Sequence, residues 1–159
     1  MPNELVIRDA RTREDITALH LLRMIEAKEC APVPVDPKAV ASKLMTAREN
    51  EADHFMLMAV LDGELVGHLC IERASYWYAP DQDFLCDFGF FVLPQHRSSG
   101  RVGVALLNEA KEIAEMAGLP LVVCINNPNR RRGTGSREEK LASLLRYVPA
   151  GSIFHFKKD

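Results

Sequence analysis

The stretch that most constrains this chain is a junction. An aromatic, β-favouring run from Phe84 to Val92 stops at Pro94. A short polar loop with Arg97, Ser98, Ser99, Gly100, Arg101 and Gly103 then leads into an amphipathic helix. A strand–loop–helix passage of this kind aims unpaired backbone N–H groups and the positive end of a helix dipole at one point, which suits an anion. Gly100 and Gly103 let the main chain approach that anion closely, and the arginines on either side add charge. The segment is expected to hold a phosphate.

At 159 residues the chain is expected to form one domain, residues 1–159, large enough to bury about 68–70% of its unfolded surface. A formal net charge of −2 argues against a nucleic-acid partner held by bulk charge. No apolar run approaches the roughly 18 residues of a membrane span. The opening Met-Pro-Asn-Glu-Leu lacks a basic stretch followed by an apolar core, so a cytoplasmic protein without a membrane partner is expected. Cys30, Cys70, Cys86 and Cys124 show no metal-like spacing, and the last three sit in apolar, strand-like runs where a reduced cysteine acts as a small hydrophobe. His54, His68 and His96 are isolated from one another, and no metal site is expected.

The order of elements follows from periodicity and punctuation. Leu5 to Arg8 reads as a strand. Thr12, with Asp15 three residues on, caps a helix carrying Ile16, Leu19, Leu22, Met24 and Ile25. Pro32, Pro34 and Pro37 form a loop, and a second helix runs from about Pro37 to Asn50 with Asp36 as cap and Val40, Leu44 and Met45 inward. His54 to Arg73 reads as a hairpin turning at Asp62-Gly63. Ala74 to Asp83 is too mixed for a strand assignment. Phe84 to Val92 is a strand in which Gly89 signals a bulge or a close approach. The next helix places Val102, Leu106, Leu107, Ala110, Ile113, Ala114 and Ala117 on one side and ends at Gly118. Leu119 to Ile125 reads as a central strand, Asn126 to Ser136 as a polar loop and Arg137 to Arg146 as a helix. A hairpin from Tyr147 to Phe156 closes the chain. The resulting order, β-α-α-β-β-β-α-β-α-β-β, predicts an α/β fold with a sheet of mixed direction.

That order, with this loop after the fourth strand, resembles the GCN5-related N-acetyltransferase (GNAT) superfamily over nearly the whole chain. The family's pyrophosphate loop reads Gln/Arg-x-x-Gly-x-Gly/Ala between a Val-x-Pro entry and a helix with x-Ala/x-Leu-Leu. Here Val92-Leu93-Pro94-Gln95-His96-Arg97 matches the entry and Val104-Ala105-Leu106-Leu107 the exit. Asp62-Gly63-Glu64-Leu65-Val66-Gly67 is similar to the family's second hairpin. The loop itself departs from the pattern. Read from Arg97 it places Val102 where the family has Gly or Ala, and it is one residue longer than the common form, resembling divergent members, some of them phage-encoded.

The resemblance implies acetyl-CoA as donor, no metal, a central sheet splayed between strands 4 and 5, and, as is common in the family, a homodimer. It implies pantetheine pairing near Phe91 and Val92. The diphosphate would rest on the N–H groups of Arg97, Ser98, Ser99, Gly100, Arg101, Val102, Gly103 and Val104, with Asn126 bonding the cofactor. It also implies a small-molecule or peptide amine as acceptor, attacked directly. Asp87, an acid inside an apolar strand beside the implied acetyl site, is the first candidate for general base. Asp87 satisfying backbone donors is the plainer alternative, and Asp83 and Glu72 are weaker candidates. The comparable family acid often lies one residue earlier, at Cys86 here. The tyrosine that serves the family as general acid falls at Ala142, which keeps open a non-catalytic, coenzyme-binding member of the fold. Arg130-Arg131-Arg132 is either a solvated loop or a partner for an acidic group. Tyr76-Trp77-Tyr78 either lines an acceptor pocket or covers the sheet. Gly-x-x-x-x-Gly-Lys-Ser/Thr and Gly-x-Gly-x-x-Gly are both absent.

Overall fold

A computed structural model describes residues 4–31 and 33–124. Its elements are β1 (Leu5–Asp9), α1 (Arg13–Cys30), α2 (Pro37–Glu49), β2 (His54–Leu61), β3 (Glu64–Tyr76), β4 (Ala79–Val92), a 3-10 turn (Pro94–His96), α3 (Arg101–Ala117) and β5 (Leu121–Val122). The five strands form one sheet in the order β1-β2-β3-β4-β5. The pairings from β1 to β4 are antiparallel, and β5 lies parallel to β4. The order agrees with the sequence expectation as far as β5, which is shorter than expected: only Leu121–Val122 is strand, and Leu119, Pro120, Val123 and Cys124 are not. The remainder of the expected Leu119–Ile125 strand beyond Cys124, the helix from Arg137 and the closing hairpin lie outside the described residues.

Local chemistry sets the boundaries. Thr12 and Asp15 form a reciprocal capping box at the start of α1. Asp15 also accepts from Arg8 at 2.6 Å, and that guanidinium, helped by backbone donors, holds its carboxyl far below the usual carboxylate range against the opposing effect of burial. Asp36 caps α2, with Pro37 in the first turn. Asp62 (φ 51) and Gly63 (φ 87) both lie in the left-handed region, the two-residue turn that matches strand twist.

A core forms on each face of the sheet. On one face α3 presents Val102, Leu106, Leu107, Ala110, Ile113 and Ala114 to Leu57, Val66, Leu69, Ile71 and Leu85. On the other, Ile16 and Leu19 of α1 and Leu44 and Ala47 of α2 cover Met56, Met58 and Cys70.

Three expectations are corrected. Met45 is 40% exposed, because α2 faces inward along Val40, Leu44 and Ala47, a stripe that leaves Met45 one residue off. Ile25 and Ala117 are likewise exposed near the ends of their helices. The stretch left unassigned around Ala74 to Asp83 is largely strand: β3 continues to Tyr76 and β4 begins at Ala79. Cross-strand chemistry holds it there, since Tyr76 stacks on Phe84 with ring centroids 4.3 Å apart, and Arg73 and Ser75 both donate to Asp83.

Candidate functional site

Pairing of β4 with β5 is short. It joins Leu85 to Leu121 and Cys86 to Val122, whereas β4 continues to Val92 paired with β3 alone among the described residues. Past Cys86, no described residue pairs with the β4 edge opposite β3. Asp87 is the first residue past that pairing. Its Oδ1 accepts from the Cys124 backbone N–H at 2.6 Å, taking the place of the next ladder rung. Burial raises the Asp87 carboxyl above its ordinary value, and the Cys124 N–H works against that rise. The carboxylate thus satisfies a backbone donor, the plainer of the two expectations for it. Asp83, bonded to Arg73 and Ser75, lies about 13 Å back along the strand and outside this site.

Past the far end of β4 the loop forms a compact cradle. Leu93 accepts from His96, Pro94 from Arg97 and Arg97 from Gly100. Gly100 sits at the helix cap with φ 70 and nothing within 4 Å of where a Cβ would be. α3 begins at Arg101, so Val102 and Gly103 belong to its first turn and their N–H groups have no acceptor within the helix. Val102, the residue at odds with the family pattern, is buried, and its Cγ1 would lie 3.1 Å from a Cβ on Gly67. The Val66-Gly67 pair thus makes room for the larger side chain, which leaves the helix terminus undistorted. Gly103 has only ordinary contact with Phe90 and no positive φ. Arg101 N–H donates to Ser99 Oγ at 3.2 Å.

Arg97 takes a structural position. Its guanidinium grips both oxygens of Glu29 at 2.5 and 3.0 Å, donates through Nε to the Val92 carbonyl at 2.7 Å, and lies 4.9 Å over the Phe91 ring. It ties the end of α1 to the end of β4, and because its N–H donates to Pro94 and its carbonyl accepts from Gly100, the expectation that Arg97 offers a free N–H or a free charge to a diphosphate is corrected. Asn126 and Arg130 to Arg132 lie outside the described residues.

β4 bulges between these ends. Gly89 is the register partner of Cys70 and Asp87 that of Ile71, which leaves Phe88 as the extra residue. Gly89 signals both of the things expected of it, since Arg23 of α1 crosses to this point as well. Arg23 Nη2 donates to the Phe88 carbonyl at 2.8 Å, and Nη1 occupies the space a Gly89 side chain would need. Nη1 lies 3.0 Å from Glu26 Oε2 in an ion-pair contact off the hydrogen-bonding line. The same Glu26 oxygen is 3.0 Å from Nε2 of the fully buried His68. Burial lowers the His68 pKa below its ordinary value despite the neighbouring carboxylate. Burial alone would raise Glu26, but His68 and Arg23 together bring it below its ordinary value. The group therefore reads as Arg23 cation, Glu26 anion and neutral His68. Because a peptide unit is planar and trans, fixing the Phe88 carbonyl towards α1 turns the Gly89 N–H away from it. The sequence reading missed this trio. Its signal was that Arg23 and Glu26 continue the inward stripe of Ile16, Leu19 and Leu22.

The aromatic residues Tyr76, Trp77 and Tyr78 cluster on one another at the β3–β4 hairpin tip, where Trp77 is 91% exposed. Among the described residues no cluster of His, Cys, Asp or Glu has metal-holding geometry, and no helix is long and apolar enough to cross a membrane.

An antiparallel meander joined through one helix to a parallel fifth strand, with that helix starting just past the end of β4, defines an acetyltransferase-type α/β fold. The chain belongs to the acetyltransferase (GNAT) family, whose model matches residues 20–132. Solved structures share the fold at low sequence identity. A predicted acetyltransferase with acetyl-CoA from Clostridium acetobutylicum is 11% identical with a TM-score of 0.73, covering 97% of this chain and 96% of that one. AAC(6')-Iy in complex with a bisubstrate analogue, CoA-S-monomethyl-acetylneamine, is 16% identical with a TM-score of 0.71, covering 98% and 99%. An aminoglycoside acetyltransferase from an uncultured soil metagenomic sample, in complex with sisomicin, is 16% identical with a TM-score of 0.65, covering 98% and 95%. No curated protein matches the chain significantly in sequence.

Proposed function

We propose that the protein transfers an acetyl group from acetyl-CoA to a primary amine of a small-molecule or peptide acceptor by direct attack. The observation that carries this reading is a buried carboxylate, Asp87, at the end of the described β4–β5 pairing, with the N-terminus of α3 following the far end of the same strand. A diphosphate fits the N–H groups of Val102 and Gly103 in the first turn of α3, and the space open at Gly100 allows its approach. The Gly100 N–H is taken by the Arg97 carbonyl and the Arg101 N–H by Ser99. Pantetheine amides would pair near Phe91 and Val92 along the edge of β4 that no other described strand covers, which brings the thioester to the bulge.

There, backbone N–H groups of β4 stabilise the oxyanion that forms when the amine adds to the thioester carbonyl. Asp87, its pKa raised by burial, takes the proton the amine gives up. The C–S bond then breaks and coenzyme A leaves as a thiolate, which is protonated from solvent. Positioning two bound reactants supplies much of the rate, so few side chains are required.

Isothermal titration with acetyl-CoA, followed by thiol release over a panel of amines, tests the assignment. Binding with release on at least one amine is expected, and Asp87→Asn should lower kcat at least tenfold with acetyl-CoA affinity retained. Binding without release on any acceptor overturns the enzyme and leaves a coenzyme-binding protein.

A further inference from the structure

On the face of the sheet opposite α3, a primary ammonium is already held beside the last described pair between β4 and β5. It is the side chain of Lys43, from α2. Lys43 Nζ donates to Glu72 Oε2 and lies 4.8 Å from the centroid of the Phe88 ring. His54 Nε2 stands 3.3 Å from the same Glu72 oxygen, and its ring meets Phe88 edge-on with centroids 6.2 Å apart. Carboxylate, aromatic face and imidazole thus form three sides of a receptor for an alkylammonium ion.

Its location ties it to that pair. Glu72 is the register partner of Cys86, the last β4 residue paired with β5 among the described residues, and Phe88 is the bulged residue two positions on. The arrangement is not needed to hold α2, which packs through Val40, Leu44 and Ala47. The Lys43 side chain is 43% exposed against 25% for Glu72, and an ion pair of that exposure adds little to stability. Lys43 is free to swing into solvent from an exposed turn of its helix.

We propose that Glu72 and Phe88 form a subsite for an acceptor ammonium and that Lys43 fills it as an intramolecular surrogate. The inference rests on the acetyltransferase reading above and names the substrate class: a small aliphatic amine with at least two amino groups. One stays charged on Glu72 and Phe88 in place of Lys43. The other reaches the thioester uncharged and gives one of its two protons to Asp87 as the amide forms and coenzyme A departs as a thiolate, which is protonated from solvent. An ammonium held by a carboxylate and an aromatic face keeps its proton, so the anchoring and reacting nitrogens are different atoms of one molecule.

The test compares 1,4-diaminobutane with n-butylamine. Lys43→Ala should lower KM for the diamine at least fivefold and leave KM for the monoamine unchanged. Glu72→Gln should raise KM for the diamine about tenfold without altering KM for acetyl-CoA. A readout free of turnover accompanies these: 1,4-diaminobutane should raise the melting temperature of Lys43→Ala but not of the Lys43→Ala/Glu72→Gln double variant. Equal use of the two amines by the parent, an unchanged diamine KM in Lys43→Ala, or equal melting shifts in the single and double variants overturns the subsite. Absence of thiol release with every amine overturns the acetyltransferase reading instead, and the melting shifts still decide the subsite by themselves.

Discussion

Gly89→Ala probes the contact between α1 and β4 most directly. A Cβ at this position would lie 1.3 Å from Arg23 Nη1, 2.5 Å from Arg23 Cζ and 3.1 Å from His68 Cε1. The guanidinium is the free end of a flexible side chain, so it will swing aside before the strand moves. The cost is therefore what Arg23 gives up. Its charge-assisted bond to the Phe88 carbonyl contributes about 1.5–3 kcal/mol. Glu26 also loses its cation and retains only neutral His68 inside the fold, which adds to the penalty. Together these place the destabilisation at about 2–4 kcal/mol, a fall in melting temperature of about 5–15 °C for a chain of this size. Urea unfolding of Gly89→Ala, Arg23→Ala and the double variant measures it. With Arg23 already truncated, Gly89→Ala should cost under about 1 kcal/mol, so the two changes will be strongly coupled. Equal cost of Gly89→Ala in both backgrounds would refute the argument that Arg23 is what requires a glycine there.

Other outcomes follow from the same geometry. Gly100→Glu should fold, since nothing lies within 4 Å of its Cβ position, yet lose at least tenfold in acetyl-CoA affinity by titration calorimetry, whereas Gly100→Ala shares the strain of a positive φ and keeps most of the affinity. Asp15 has a folded-state pKa held far below its unfolded value of about 3.9. Its contribution is therefore complete above about pH 4 and lost as pH falls towards the folded value. Urea unfolding should show Asp15→Asn clearly less stable than the parent at pH 7, with the gap narrowing by pH 3. Burial pushes the Cys70 thiol up to about 12, so iodoacetamide should label Cys70 last of the four and only as fast as the protein opens.

Much of the framework was legible because it is written in local signals. The Thr12–Asp15 capping box, Asp36-Pro37, the Asp62-Gly63 turn and the Gly118 stop each act within a few residues, and each appears where the sequence puts it. Gly89 was legible as a punctuation mark, but the reason for it was not. That reason is Arg23, sixty-six positions away in sequence and brought over by the packing of α1. Arg97 was misleading for the opposite cause. Its place in a phosphate-type loop suggested a charge for the ligand, whereas a partner sixty-eight residues earlier, Glu29, holds its guanidinium. Asp87 could be singled out as an acid in an apolar strand, but its bond to the Cys124 backbone depends on where β5 ends. The Lys43, Glu72 and Phe88 cluster joins three elements and left no trace in spacing. Side-chain partners across elements are set by tertiary packing, which periodicity does not encode.

The uneven sheet has a consequence for assembly. From β1 to β4, apart from the α1–α2 excursion, neighbours in sequence are neighbours in space, whereas β5 must return across a helix to make, among the described residues, two residue pairs. Contacts of low sequence separation form early and at small entropic cost, so the meander can consolidate before the second wall of the cleft docks. That wall is then the region most easily undocked, and a nucleotide-bearing thioester that spans both walls would act as their clasp. Melting temperature should accordingly climb with the logarithm of coenzyme concentration, and amide exchange at Leu121 and Val122 should slow well before exchange in β2 or β3 changes.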